Sequence, residues 1–351
     1  MAMVRSTSLQ ITSDMLSRIA EIDEFKGAWM ALGRLAPDRL GQLRTIATIE
    51  SVGASTRIEG SALSDREVEV LLARAVGDSF ATRDEQEVAG YAAVMDTIFA
   101  NFDSIPITEN YIKQLHAMLL THSIKDTRHR GGYKKVPISI EAFDERGQSL
   151  GVVFETSSPF DTPRDMGELI AWYQDTTGAS KLHPILTVGM FVVVFLAIHP
   201  FQDGNGRLSR ILTSLLLLKA GYSYFPYASL ESVIEQKKDA YYLALRRTQL
   251  TLKGDAPDWS PWLDFFLRVL HEQKRRLEAK VGREHLMRAS LPDLAVRILD
   301  LAAQHGQISV GQVMLATGAP RGTVKKRLND LVGQGQLKRT GQARSTRYTL
   351  A

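Results

Sequence analysis

At 351 residues, 44% hydrophobic and 23% charged, the chain has apolar material for roughly two or three globular domains and is not a disordered or fibrous sequence. It contains no cysteine, which excludes disulfides and thiolate metal sites and fits a reducing, cytoplasmic setting. The net charge of +4 is uneven: residues 285–351 carry ten Lys/Arg against three Asp/Glu, the rest 33 against 36, so an anionic partner is expected at the C-terminal end. The first ten residues lack an apolar stretch, and no secretory signal is expected. The most apolar run, 185–198, falls short of the roughly 20 residues that span a bilayer; it reads as a buried helix, with no membrane association.

Residues 14–102 show helical spacing of apolar positions. Ser64 followed by Glu67 ahead of Val68, Leu71 and Leu72 is a capping-box helix start, and Thr108 opens another helix ahead of Tyr111, Leu115 and Leu119. Between 130 and 159 the pattern changes. Val136, Ile138 and Ile140 alternate with other residues, Asp144-Glu145-Arg146-Gly147 supplies a turn, and Leu150, Val152 and Phe154 follow, which predicts a β-hairpin. Helical spacing resumes at Pro163 and runs to about Lys280, with a linker between Gly282 and Pro292. A final module begins with a helix over 293–303. Ser309 caps a short helix, Thr317-Gly318-Ala319-Pro320 turns, and a helix over 321–332 carries Thr323, Lys325, Lys326 and Arg327. Residues 337–350 read as a β-wing with Gly341 at its tip and Arg344 and Arg347 on its return. The expected fold is mainly α: a helical region over 1–105, a helical core with a β-hairpin over 106–283, and a winged helix-turn-helix over 284–351.

The segment richest in chemistry is His199-Pro200-Phe201-Gln202-Asp203-Gly204-Asn205-Gly206-Arg207-Leu208-Ser209-Arg210, lying between the apolar run and a helix over 211–219 that ends near Gly221. Gly204 and Gly206 permit close backbone approach, and successive N–H groups in such a turn form a nest for anionic oxygens. The following helix points its N-terminal dipole at the same place. Arg207 and Arg210 share a helical face and can both reach a polyphosphate. Asp203 suits Mg²⁺, an ion usually held by one or two carboxylates plus phosphate oxygens. His199 has an ordinary pKa suited to proton abstraction near neutrality. A plain glycine-rich helix cap is the alternative; a base, a carboxylate, two glycines, an amide and two arginines within twelve residues favour a phosphate-handling site.

These residues match the Fic-family motif, His-x-Phe-x-Asp/Glu-Gly-Asn-Gly-Arg-x-x-Arg, at every defined position, and the chain resembles Fic (Fic/Doc) protein adenylyltransferases over about residues 46–266. Residues 87–91 and 112–116 resemble helices that precede the family's core, and the hairpin stands where the family places its target-docking flap. The resemblance implies a Fic-type helical core that moves AMP from ATP, with Mg²⁺, to a Ser, Thr or Tyr hydroxyl of a protein, with self-modification and a homodimer among its family traits. By the same resemblance His199 is the general base, Phe201 anchors the loop, and Asp203 holds the metal. Gly204, Asn205 and Gly206 form the anion hole, Arg207 takes the β-phosphate and Arg210 the γ-phosphate, and Tyr241-Tyr242 lie near the adenine. Gly206 stands where the Doc branch, which moves phosphate, has a lysine; AMP transfer is therefore implied, with other nucleotides and phosphocholine left open.

Ser55-Thr56-Arg57-Ile58-Glu59-Gly60 resembles the family's inhibitory motif, Ser/Thr-x-x-x-Glu-Gly/Asn, in its class with an intrachain N-terminal inhibitor (class II). Glu59 would pair with Arg210 and deny it to the γ-phosphate. In relatives the same glutamate serves AMP removal, so a deAMPylase or bifunctional enzyme is an alternative, as is a nucleotide-sensing DNA-binding regulator. In the flap, Val136, Pro137, Ile138 and Ser139 would receive a target segment by main-chain pairing. Lys134 replaces an arginine frequent in related flaps, and Pro137 removes one donor. The basic helix with Thr323, Lys325, Lys326 and Arg327, together with the wing, suits DNA phosphates and the major groove; protein contacts are the other use of such modules.

Overall fold

The computed structural model describes residues 4–31, 37–74, 80–143, 149–289, 292–333, 335–341 and 346–350. Two compact units form, one of Met1–Ala31 with Arg44–Lys274, the other of Leu32–Leu43 with Arg275–Ala351.

Helices supply the larger unit: α1 (Ser13–Ala31), α2 (Pro37–Ile58), α3 (Asp65–Leu72), α4 (Arg83–Asn101) and α5 (Glu109–Leu119). A hairpin of β1 (Ser139–Phe143) and β2 (Ser149–Glu155) interrupts them, before α6 (Thr162–Gly178), α7 (Pro184–Ile198), α8 (Asn205–Lys219), α9 (Leu230–Glu235), α10 (Lys238–Gln249) and α11 (Ser260–Ala289). Their starts follow the local chemistry. Ser64 with Glu67 and Thr82 with Glu85 form reciprocal capping boxes, and Thr108 accepts from the Tyr111 N–H. Helix α11 runs on through Gly282, where a linker was expected.

Helix α7 sets the core. Every residue from Ile185 to Ile198 is buried, because a helix apolar on all faces must be enclosed. Helices α6 and α8 flank it. Trp262 Nε1 of α11 donates to the Gly189 carbonyl at 2.6 Å, and a Cβ at Gly189 would stand 2.8 Å from Leu263. That glycine lets α11 close on α7.

Strands β1 and β2 pair antiparallel, Ser139 opposite Glu155 and Ile140 opposite Phe154, with irregularities after Ile140 and Ala142. The strand begins at Ser139, later than the alternation from Val136 suggested. Pro137 offers no N–H, and the Ile138 carbonyl is taken by Thr156 Oγ1 at 2.6 Å. The expected turn at 144–147 lies outside the described residues.

The smaller unit is a winged helix: α12 (Asp293–His305), α13 (Val310–Thr317), α14 (Arg321–Gly333), β3 (Leu337–Thr340) and β4 (Arg347–Leu350). Ile308 exchanges both backbone hydrogen bonds with Tyr348, adding a third short edge to the β3–β4 pair. Its core joins Ile298, Leu299, Ile308, Val313, Val324, Leu328, Leu331, Leu337 and Tyr348. Ser309 caps α13 with Gln312, Gly318 takes φ 68° between α13 and α14, and Gly341 takes φ 76° just beyond β3. Arg344 lies outside the described residues. Among the described residues no helix is long and apolar enough to cross a membrane.

Candidate active site

The site is built on the loop from α7 to α8. His199 ends α7 in the left-handed region, φ 52° and ψ 62°, which a non-glycine residue adopts only when its surroundings hold it there. Its N–H donates to the Phe195 carbonyl at 2.9 Å. The carbonyls on either side are also held: Ile198 accepts from Lys134 Nζ at 2.9 Å and Pro200 from the Lys134 N–H at 2.9 Å. The ring's Nδ1 is buried and lacks a hydrogen-bond partner of good geometry.

Phe201 is fully buried and stacks on His116, ring centroids 3.8 Å apart and 11° from parallel. The Asn205 side chain closes the loop on itself, accepting from the Phe201 N–H at 2.9 Å and donating to the Phe201 carbonyl at 2.7 Å. The Asn205 amide thus spends one of its two N–H donors on the loop, and the second N–H and the backbone N–H remain for an anion. Gly204, at φ 78°, turns the chain into α8, so Asn205, Gly206, Arg207 and Arg210 occupy that helix's first turns. His116 supports the loop from α5. The Gly131 N–H donates to its Nδ1 at 3.0 Å, which places the ring proton on Nε2, 3.0 Å from the Asp203 carbonyl.

Four charges close a ring at the mouth. Arg83 Nε meets Glu87 at 2.8 Å, Glu87 meets Arg207 at 3.1 Å, Arg207 meets Asp203 at 3.3 Å, and Asp203 returns to Arg83 at 3.1 Å. Asp203 also accepts from the Gly204 N–H at 2.6 Å. Burial of Asp203 opposes its charge, but Arg207, the Gly204 N–H and Arg83 outweigh it and hold the carboxyl below the usual range.

Arg210 is 4% exposed. Its Nε donates to Ser55 Oγ at 2.8 Å, and its Nη2 donates to the Ser55 carbonyl at 2.9 Å and to Glu59 Oε1 at 2.8 Å. Nη1 is buried without a partner. Ser55, in the last turn of α2, and Glu59, just past its end, are four residues apart and reach the same guanidinium. Gly60, at φ 105°, then turns the chain away. The Glu59 carboxylate stands directly over Gly206, where any Cβ would collide with it. Arg57 fixes the end of α2 from the other side, gripping Glu235 at 2.6 and 3.0 Å and Asp65 at 2.9 Å. Tyr241 and Tyr242 flank the pair; Tyr241 is buried, while Tyr242 is 44% exposed with its hydroxyl 3.5 Å from the Ile58 carbonyl.

The structure thus brings together His199, Phe201, Asp203, Gly204, Asn205, Gly206, Arg207, Arg210, Ser55, Glu59, Gly60, Tyr241 and Tyr242. Val136, Pro137 and Ser139 are exposed at the start of the hairpin. In the smaller unit Thr323, Lys325 and Lys326 are exposed, while Arg327 is partly buried and meets Asp330 at 3.4 Å. His116, Arg83, Arg57 and Glu235 were missed as site residues, and the grip of Lys134 on the His199 backbone carries no local sequence signal.

Burial, then the charge of Lys134, pulls His199 down to about 4, against Glu59 and Asp203. Burial likewise pulls His116 to about 4, aided by Arg207. Both rings are therefore neutral at pH 7.

The C-terminal module and the core have separate relatives. Residues 106–217 match the sequence model of the Fic/DOC family, and 294–351 that of the DIP2311-like transcriptional regulator C-terminal domain. The chain is 26% identical over 210 residues to a protein adenylyltransferase Fic of Drosophila willistoni, covering 58% of this chain and 39% of that protein. The Drosophila yakuba protein of the same name is 26% identical over 240 residues, 68% and 44%. The chain spans about two fifths of the length of these relatives. A crystal structure of a Fic family protein from Desulfovibrio desulfuricans G20 superposes over 98% of both chains with a TM-score of 0.64 and 25% identity. A Fic-domain-containing signaling protein from Bacteroides thetaiotaomicron VPI-5482 covers 74% of this chain and 97% of its own, with a TM-score of 0.61 and 23% identity, a likeness of fold.

The two neutral histidines set a pH dependence. An unfolded chain protonates its histidines near 6.5, whereas His116 and His199 in the folded chain resist until about 4. The unfolded state binds more protons between these values, so their contribution is complete above pH 6.5 and is lost as pH falls toward 4, at about 1.4 kcal/mol per pH unit for each histidine. Urea unfolding followed by tryptophan fluorescence should show this loss between pH 7 and 5, with a shallower slope for His116→Gln. A stability that is flat or rising toward pH 5 would contradict the neutral assignment.

Proposed function

We propose, from the Fic/DOC-family domain that the chain carries, that this protein is an adenylyltransferase moving AMP from ATP to a Ser, Thr or Tyr hydroxyl of a protein, itself included, and that Glu59 restrains it. One observation carries the reading. The Glu59 carboxylate lies 2.8 Å from buried Arg210 and over Gly206 in the first turn of α8, so a carboxylate sits where an anion is best received.

With that seat given to the γ-phosphate, Arg207 next along the helix takes the β-phosphate, and the N–H groups of residues 204–206 surround the α-phosphate. The target hydroxyl gives its proton to the neutral ring of His199 as its oxygen bonds to the α-phosphorus. The bond from that phosphorus to the β-bridging oxygen breaks, and pyrophosphate leaves. Among the described residues no cluster of three His or acidic side chains would cage a metal. Asp203 nonetheless suits Mg²⁺, which needs one or two carboxylates beside phosphate oxygens, and of its ring partners Arg83 is exposed and can swing aside. The ion would neutralise phosphate charge as the bond breaks. A target segment would pair with the hairpin near Ser139.

Label transfer from α-³²P-ATP with Mg²⁺ tests this. Glu59→Gly should label the protein at least tenfold more than the parent chain, and Glu59→Gly/His199→Ala should drop the rate by about 10²–10⁴ while still binding ATP. No label in any form despite ATP binding would contradict AMP transfer.

The smaller unit favours a second, compatible activity: binding of duplex DNA. Thr323, Lys325 and Lys326 are exposed along α14, and Lys338 and Arg339 along β3, of a winged helix. Lys325→Gln/Lys326→Gln should weaken retention uniformly across sequences and reduce the slope of log K against log salt by about 2. An unchanged slope removes this helix from the interface.

A further inference from the structure

We infer that Lys134 is a positioning residue for the transfer reaction: it fixes the backbone on both sides of His199 and ties that backbone to the base of the flap. The inference rests on the reading of His199 as the general base.

Lys134 is 3% exposed. Its ammonium donates to two neutral acceptors, the Ile198 carbonyl at 2.9 Å and Thr156 Oγ1 at 2.8 Å. A buried lysine held by neutral oxygens is an expensive way to fill space, since burial alone pulls it down to about 8 despite Asp165 nearby. Its own N–H donates to the Pro200 carbonyl at 2.9 Å. One residue thus grips the peptide units before and after His199, which is itself in the left-handed conformation. Removing the grip lets His199 relax toward the conformations a non-glycine residue prefers, and the imidazole leaves its line to the substrate hydroxyl.

Thr156 extends the link. While receiving the Lys134 ammonium, its hydroxyl donates to the Ile138 carbonyl at 2.6 Å. The chain entering the hairpin, the chain leaving it and the His199 backbone therefore form one hydrogen-bonded unit. A target segment settling on the hairpin near Ile138 bears on the position of the base.

The charge of Lys134 has a second consequence. His199 is faced by Lys134 from the flap, Glu59 from α2 and Asp203 from its own loop; after burial, Lys134 is the strongest influence keeping the ring neutral. Replacing the lysine with an uncharged residue should raise the pH at which His199 protonates, and the acid limb of the transfer reaction should move with it.

The test uses the full chain in the Glu59→Gly background with Lys134→Met, Lys134→Gln and Lys134→Arg. The first readout is the His199 imidazole titration by NMR, its resonance identified by loss in His199→Ala; no transferred group is needed. Met and Gln should shift the titration upward by roughly half a unit or more, and Arg should leave it near the parent. The second is label transfer: Lys134→Met should lower kcat by about ten- to a hundredfold with the KM for ATP within about twofold, and Lys134→Arg should restore most of it. If the Met variant loses cooperative unfolding, Gln, which retains donors, and Arg decide the question. A parent background that transfers no label refutes the proposed reaction, yet the titration still shows whether Lys134 governs His199. An unchanged titration in the uncharged variants, or a kcat insensitive to all three, overturns the inference.

Discussion

A guanidinium buried to 4% exposure needs a negative partner, and the larger unit is organised around supplying one to Arg210. The residue is fixed by α8, whose start is set by the loop leaving α7, and α7 can be placed only at the centre of the core. The partner comes from a distant part of the sequence, as the end of α2 and the turn after it bring Ser55 and Glu59 to the same guanidinium. Glu59 is the more exposed of the pair, with a third of its side chain accessible. The pair is therefore a partly exposed carboxylate on a buried, fixed cation, which is what the proposed brake requires. Its fixity comes from neighbours: Arg57 clamps Glu235, and Tyr91 donates to the buried Glu231 at 3.1 Å.

The rest of the site controls charge by burial and hydrogen bonding. His116 and His199 are kept neutral for different ends. His116 must be neutral for Nδ1 to accept from Gly131 while Nε2–H holds the Asp203 carbonyl, which shapes the loop. A neutral His199 is free to take a proton, as the proposed reaction requires. The ring of Arg83, Glu87, Arg207 and Asp203 balances two cations against two anions, as Glu59 balances Arg210.

The clustering of residues 199–210 at one loop and helix start was legible, because those groups are contiguous in the sequence and their geometry is local. The capping box at Ser64 and the N-cap at Ser309 were readable for the same reason, as was the winged helix from its spacing of helices and turn. What escaped acts across the chain. Lys134 reaches Ile198 over 64 residues, His116 reaches Asp203 over 87, and Arg57 reaches Glu235 over 178. No sequence pattern marks such pairs, since any lysine, histidine or arginine on a helix or loop looks the same before the chain folds. That Asn205 also ties its own loop could not be read from the sequence, because an amide can bond its own backbone with one N–H while keeping the other, and only the fold shows the first. The strand that begins at Ser139 rather than Val136 reflects one missing N–H, at Pro137, whose weight in the pairing was underestimated.

The central claim is that Glu59 and the γ-phosphate contend for one guanidinium. Calorimetric titration of ATP and of ADP, each with Mg²⁺, into the parent chain and into Glu59→Gly tests it most directly. If the contest is over the γ-phosphate alone, removing Glu59 tightens ATP by roughly ten- to a hundredfold, the worth of a charge-assisted contact, and leaves ADP nearly unchanged. Equal tightening of both nucleotides, or of neither, would mean that Glu59 does not occupy the seat assigned to it.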